Sequence, residues 1–222
     1  MKTAIILGAT GLTGGILLRK LLDDDRYGKI ILFSRSSANL DHSKIEEHLV
    51  DLFHLKEHSD KFKADEVYCC IGTTKSKTPD KDVYKKIDHG IPVAAAGLCE
   101  KNAIPCYVLI SAMGADPKSK IFYSRIKGKT EKDVLEYDIK KTYILKPSLI
   151  VGDREENRTG EKIAKFVMEF FKPLMIGSLK KYRPITPEEI ASAMIFLAND
   201  GHHQTRIESE EIRELANSME KE

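Results

Sequence analysis

The sequence predicts a doubly wound α/β fold, one parallel sheet with helices on both faces. Three observations predict it. Short continuous apolar runs recur along the chain: TAIIL, KIILF, EVYCCI, CYVLI and TYIL. Strands buried on both faces read as such runs, whereas strands with one wet face alternate. Between the runs lie segments whose apolar residues recur with the helical period. A glycine-rich turn, Gly8-Ala9-Thr10-Gly11-Leu12-Thr13-Gly14, separates the first strand from the first helix. At about 150 residues per domain, 222 residues make a single domain, 1–222.

Lys2–Leu7 is the first expected strand. Leu12–Leu22 carries apolar residues at 12, 16, 17, 18, 21 and 22, one face of a helix. Lys29–Phe33 is the second strand, Ile45–Leu52 contains the third, and Glu66–Ile71 is the fourth. A long helix is expected from Lys81 to Lys101. Cys106–Ile110 is the fifth strand, Lys120–Tyr137 a helix, and Thr142–Leu145 the sixth strand. Pro147 stops that strand, because its ring fixes φ and removes a donor. The expected strand order is 3-2-1-4-5-6. After Pro147 the pattern loosens, with helices expected over 161–171 and 187–199. Thr186-Pro187-Glu188-Glu189 opens the second of these with proline in the first turn. Ile212, Leu215, Ala216 and Met219 mark a terminal amphipathic helix. Residues 148–222 are expected to form a small C-terminal lobe that covers the substrate.

Charge excludes some classes. Lys and Arg number 36 against 34 Asp and Glu, a net charge of +2. A dedicated nucleic-acid binder would be strongly basic, and a disordered chain would be poorer in apolar residues. Cys69, Cys70, Cys99 and Cys106 form no CxxC pair, so no zinc or redox motif is read from them. They are expected as free thiols in a reducing compartment, and the expected location is cytoplasmic. The uncharged stretch Thr3–Leu18 superficially resembles a signal segment. It holds Gly8, Gly11, Gly14 and Gly15 and lacks a small-x-small cleavage site. It is also too short to span a bilayer comfortably. No membrane partner is therefore expected, and the Asn157-Arg158-Thr159 sequon is read as coincidental.

The glycine turn carries the first chemistry. Gly8 permits the tight turn, Gly11 lets backbone approach a pyrophosphate, and Gly14 lets helix and strand pack closely. Thr10, Leu12 and Thr13 complete the loop, and the following helix N-terminus offers free N–H groups to phosphates. Placed after the first strand of a strand–helix repeat, this is a Rossmann-type dinucleotide signal. An NAD site puts an acid after the second strand. This chain has Ser34, Arg35 and Ser36 there, which suit a 2′-phosphate, so NADP (NADPH) is the expected cofactor. Asp51 and Leu52 either border the adenine or cap the strand end. Gly72, Thr73 and Thr74, after the fourth strand, let the cofactor pass close to backbone. Pro147 is grouped with the cofactor-binding residues.

Ser111 ends the fifth strand, and Tyr123 and Lys127 follow as Tyr-x-x-x-Lys on one helix face. A free tyrosine has a pKa of about 10. A neighbouring ammonium, together with an oxidised nicotinamide, is expected to favour the phenolate and lower it. Tyr123 would then exchange a proton with a substrate oxygen as hydride moves, with Ser111 hydrogen-bonded to the same oxygen.

With these residues the chain resembles the short-chain dehydrogenase/reductase superfamily, within it the atypical branch of Tat-interacting-protein-type oxidoreductases. The resemblance runs through GATGLTG at 8–14, CCIGTT at 69–74, SAMGAD at 111–116, FYSRIKG at 122–128 and DREENRTGE at 153–161. It implies NADPH binding, the roles given above for Ser111, Tyr123 and Lys127, and a further role for Lys127 on the nicotinamide ribose. It allows a homodimer. The G-x-x-G-x-x-G spacing points to the extended or atypical side of the superfamily. The 75 residues after Pro147 are few for a sugar-nucleotide epimerase, so a bulky nucleotide-sugar substrate is not expected.

The expected function is NADP-dependent hydride transfer to or from a carbonyl or hydroxyl of a small molecule. The alternatives are a regulatory or scaffold protein that binds NADPH without turnover, and reduction of a bound quinone or flavin. Asp153–Arg158 is a charge run that either reaches substrate through Arg154 or Arg158, or is a solvated surface. His54 and His58 are read as a surface pair, and Lys118–Lys132 as a solvated helix face. His202-His203 reads as a loop.

Overall fold

The computed structural model describes residues 1–151 and 183–219. Seven strands form one parallel sheet in the order β3-β2-β1-β4-β5-β6-β7. They are β1 Lys2–Leu7, β2 Tyr27–Ser34, β3 Ile45–Leu49, β4 Glu66–Cys69, β5 Cys106–Ile110, β6 Lys141–Lys146 and β7 Arg206–Glu208. The helices are α1 Leu12–Asp23, α2 Lys81–Lys85, α3 Ile91–Lys101, α4 Phe122–Val134, α5 Pro187–Asn199 and α6 Ser209–Met219. The expected order 3-2-1-4-5-6 is found, with β7 added beside β6. Nothing in the sequence pattern announced β7, whose three residues Arg-Ile-Glu bury only Ile207.

The two-residue strand period sorts the continuous apolar runs into two cores. Ala4 and Ile6 of β1 join Leu17, Leu18 and Leu21 of α1 and Ile190, Met194 and Ile195 of α5 on one face. Ile5 and Leu7 join Phe62, Ala95, Cys99 and Val134 on the other. Both faces are thus buried, which is why the strands read as unbroken apolar runs. Each fully buried leucine or isoleucine contributes about 1.5–3 kcal/mol relative to exposure.

α5 is part of this main layer. Its start is the expected one, with a reciprocal cap: the Thr186 hydroxyl accepts from the Glu189 amide at 3.1 Å, and the Glu189 carboxylate accepts from the Thr186 amide at 2.7 Å. Its far end is tied to the sheet by a buried polar cluster. The Glu66 carboxylate accepts from the hydroxyls of Tyr27 and Tyr68, the latter at 2.6 Å, and pairs with Lys2 at 3.1 Å. Asn199 of α5 donates to the Tyr27 hydroxyl at 2.7 Å. Residues 183–219 of the expected C-terminal lobe are therefore built around the sheet. The Asp153–Arg158 run, the sequon at 157 and the helix expected over 161–171 lie outside the described residues.

One helical expectation is refined. The segment 81–101 is helical throughout but passes through a π-helical turn, Lys86–Gly90, between α2 and α3. Leu52–Lys61 forms a 3-10 segment, with non-helical backbone at His54 and His58, so these two do not share a regular helix face. The four cysteines are free, three buried and Cys70 partly so.

Candidate cofactor and catalytic site

The strands run parallel, so the loops at their carboxyl ends gather at one edge of the sheet. Such edges hold ligands in open α/β folds, at the point where strand order reverses. Here β1 lies between β2 and β4, and the loop after β1 lies at that point. Gly8 has φ +90°, in the left-handed region, and its carbonyl accepts from the Gly11 amide at 3.0 Å. A Cβ at Gly14 would lie 2.1 Å from the Gly8 carbonyl oxygen, so only glycine lets α1 pack this closely. Gly11 caps α1 with no side-chain bond, which leaves first-turn N–H groups free for an anion.

A cleft of about 870 Å³ opens beside this loop. Thr10, Gly11, Leu12 and Thr13 line it on one side and Gly72, Thr73 and Thr74 on another. Ser111, Tyr123 and Lys127 line it as well. Tyr123 is 42% exposed, open to a substrate, whereas Lys127 is 6% exposed and Ser111 5%. The sequence-predicted residues at the opposite end do not line this cleft. Ser34 ends β2 and Arg35 follows it, and the Ser34 carbonyl accepts from the Val50 amide at 2.9 Å. Arg35 is exposed. Asp51 spends one carboxylate oxygen on the Phe53 amide at 2.9 Å, capping the 3-10 segment. Leu52 is buried in the core. Pro147 is buried, and its carbonyl accepts from the Met113 amide at 2.9 Å.

Do these residues fit a dinucleotide? The buried Ser34 hydroxyl has no hydrogen-bond partner. A buried polar atom left unpaired is costly, and this one lies at the end of β2, where a Rossmann site holds the adenosine ribose. Together with the glycine cradle, it makes the described residues fit such a group.

The electrostatics differ from expectation. Lys127 Nζ pairs with the carboxylate of Asp88 at 2.9 Å. Asp88 is fully buried and also accepts from the Thr73 amide at 2.8 Å. Burial works against the Lys127 charge, but Asp88 holds its pKa above the ordinary lysine range. Burial, the largest influence, pushes the Tyr123 pKa up, Lys127 pulls it down as an ammonium should, and Asp88 pushes it up, so it stands above the ordinary tyrosine value. The ammonium does favour phenolate, but its charge is compensated. Ser111 likewise faces inward chemically, donating to Glu131 Oε1 at 2.5 Å. No hydrogen bond joins Ser111 to Tyr123 or Lys127.

Three residues of this site were missed in the sequence. Asp88 falls on the buried stripe with Tyr84, Ile91 and Ala95, and an acid on an apolar stripe was its signal. Glu131 continues the four-residue spacing of Tyr123 and Lys127. Gly128 allows a close approach, since a Cβ there would lie 2.3 Å from the Asp116 carbonyl carbon and the Pro117 nitrogen.

The parallel sheet, its strand order and the glycine loop at the switch point define a nucleotide-binding, oxidoreductase-like Rossmann protein. No family model matches the chain. Protein HTATIP2 of Rattus norvegicus is 30% identical over 168 residues, 74% of this chain and 69% of its own. The mitochondrial protein FMP52 of Debaryomyces hansenii is 27% identical over 236 residues, 98% of this chain and all of its own (100%). The chain belongs to the family of HTATIP2 and FMP52, an atypical branch of the short-chain dehydrogenase/reductase superfamily. Among solved structures, the Bordetella bronchiseptica enzyme WbmG in complex with NAD matches at TM-score 0.70 and 13% identity, over 98% of this chain and 77% of that one. The Thermus thermophilus UDP-glucose 4-epimerase, also with NAD, matches at TM-score 0.69 and 14% identity, over 99% and 82%. These two matches show a shared fold.

The relatives overturn one expectation. FMP52 proteins of several fungi are named mitochondrial, which points away from the cytoplasmic location read from the cysteines. Free buried thiols ask only for a reducing environment and do not choose between compartments.

Proposed function

We propose that the chain is an NADP-dependent oxidoreductase that moves hydride between a nicotinamide and a carbonyl or hydroxyl of a small molecule. The observation that carries this reading is the meeting of Tyr123 and Lys127 with the glycine loop in one cleft. Gly8, Gly11 and Gly14 would cradle the pyrophosphate against α1, and Ser34 and Arg35 would take the ribose and its 2′-phosphate. Thr10, Leu12, Thr13 and Gly72–Thr74 would wall the cofactor, with Asp51 and Leu52 near the adenine and Pro147 near the nicotinamide end. When bound, the cofactor supplies or accepts the hydride. Tyr123 gives its hydroxyl proton to the substrate oxygen in reduction and takes it back in oxidation. Lys127 stabilises the phenolate left behind. A homodimer and the absence of nucleic-acid or membrane partners complete the reading; among the described residues no helix is long and apolar enough to cross a membrane.

The test is NADPH consumption against a panel of aldehydes, ketones and quinones, with Tyr123→Phe alongside. The reading expects turnover with at least one carbonyl, abolished in Tyr123→Phe with cofactor binding retained. Full activity in that variant sinks the mechanism.

A second reading has one observation in its favour. Ser111 is engaged by Glu131 and Lys127 by Asp88, so two of the three catalytic groups are satisfied internally. A protein that binds NADPH without turnover tolerates that arrangement. NADPH binding with no consumption across the panel would favour it.

A further inference from the structure

The cleft continues past the glycine loop, and two further segments wall it: the loop from Gly72 into α2, and the start of α4. The loop is fixed at several points. The Thr74 carbonyl accepts from the Lys77 and Thr78 amides at 3.1 and 2.9 Å, and the hydroxyls of Thr73 and Thr78 meet at 2.9 Å. The Tyr84 hydroxyl donates to the Thr73 carbonyl at 3.1 Å. Asp80 caps α2 by accepting from the Asp82 and Val83 amides at 2.8 and 3.0 Å. This frame holds Lys75 and Lys81, both exposed, on the cleft wall. Among the described residues that line the cleft Asp88 is the one acid, and it is matched by Lys127. Lys75 and Lys81 pair with no acid among the described residues, so this wall carries unmatched positive charge. A cleft lined by one sign of charge concentrates ions of the other.

The surface beside these lysines is apolar. Ile121 is 66% exposed and Tyr123 42%, and Phe122 between them is half-buried. Tyr84 meets the Phe122 ring edge-on, with centroids 5.4 Å apart. Lys81 Nζ lies 5.8 Å from the centroid of the same ring, within cation–π reach. Ile150 adds apolar lining to the cleft. One exposed apolar side chain is ordinary, but three consecutive ones on a cleft wall mark a binding surface. Ligand sites of this kind pair apolar lining with a few placed polar groups that fix orientation.

We propose that this wall is the substrate subsite and selects carbonyl compounds that carry an apolar body and an anionic group. The body lies on Ile121 and Phe122, and the anion faces Lys75 and Lys81. This rests on the proposed function, which sets the substrate oxygen at Tyr123. Lysines act as point charges and lack the planar fork of an arginine, so charge rather than the shape of the anion defines the class.

The probes are para-acetylbenzoate and para-benzoylbenzoate, each compared with its methyl ester. The ester keeps the carbonyl and the apolar body and removes the charge. Calorimetric titration is run on the parent protein, alone and saturated with NADP, which has no hydride to give. The acid is expected to bind about tenfold or more tightly than its ester in at least one pair. Added salt should weaken the acid and leave the ester unaffected. In the double variant Lys75→Met, Lys81→Met the preference should vanish. Equal binding of acid and ester in both pairs, or a preference that survives the double substitution, overturns the proposal. A double variant that loses NADP affinity as strongly as acid affinity assigns the lysines to the cofactor and overturns it too. The two readings fail separately. A parent protein that binds no nicotinamide nucleotide defeats the proposed function, and the nucleotide-free titration still decides whether this wall selects anions.

Discussion

Ser111 gives its hydroxyl proton to Glu131 across 2.5 Å, and both side chains are buried. A serine has one proton to donate, so Oγ presents only lone pairs to the cleft. Glu131 lies four residues beyond Lys127 and eight beyond Tyr123, on the same stripe of α4. Its other oxygen faces the Arg206 guanidinium at 3.4 Å, from β7. The strand hidden from the sequence pattern thus supplies a cation behind the site. Ser111 can donate to a substrate carbonyl only after Glu131 releases its proton.

Ser111→Ala should therefore cost stability as well as any rate. It leaves a buried carboxylate oxygen one donor short, a loss of about 1–3 kcal/mol. Urea unfolding of the variant measures this, and a midpoint equal to the parent's would show that Ser111 is not bound to Glu131 in solution.

Glu131→Gln separates structure from catalysis at the same contact. The amide can donate to Ser111 Oγ and turn the serine proton toward the cleft. Carbonyl reduction should then persist or rise while Ser111→Ala reduces it. Loss of activity in both variants would assign the carboxylate itself a part in the chemistry.

Two glycines are expected to resist even alanine. At Gly14 the added carbon would meet the Gly8 carbonyl oxygen at 2.1 Å, and at Gly128 it would meet backbone of Asp116 and Pro117 at 2.3 Å. Relief requires moving backbone, at about 1–3 kcal/mol or more. Gly14→Ala should also abolish nucleotide binding, because the loop must open from α1. Thermal unfolding with calorimetric titration checks both effects, and unaltered binding in Gly14→Ala would remove the loop from the cofactor site.

Alkali should destabilise the fold early. Burial raises the Cys69, Cys70 and Cys99 thiols above their ordinary range and pushes Cys106 up to about 12. Tyr27, Tyr68 and Tyr107 are raised too, again by burial first. The folded state therefore holds protons that the unfolded chain releases. This contribution is whole below the unfolded thiol value of about 8.5 and is lost as pH climbs toward the folded values. Urea midpoints should fall steadily above about pH 8.5. A flat profile between pH 8 and 10, the range over which unfolded thiols ionise, would show that the thiols are not buried as described.

The parts of the molecule legible in the sequence are those that repeat or that only one residue type can perform. β1 and β2 read as unbroken apolar runs because each buries both faces. The glycine loop was legible because Gly14 has no substitute. Harder to read were features set by tertiary neighbours. β7 is three residues long with one buried side chain, too short for a period. The π turn at Lys86–Gly90 leaves no mark in a helical pattern that continues on both sides. Tyr-x-x-x-Lys named two residues of the site, but its electrostatics depend on Asp88, thirty-nine positions before Lys127.

The central claim is that the edge of this sheet holds a 2′-phosphorylated nicotinamide dinucleotide. The chain has no tryptophan, so heat rather than energy transfer is the direct readout. Calorimetric titration with NADPH, NADP, NADH and NAD, on the parent protein and on Arg35→Ala, measures it. The account predicts that the 2′-phosphorylated pair binds tighter by about tenfold or more, about 1.4 kcal/mol, and that Arg35→Ala erases the difference. No heat from any of the four, or equal affinity for NADH and NADPH in the parent protein, would contradict it.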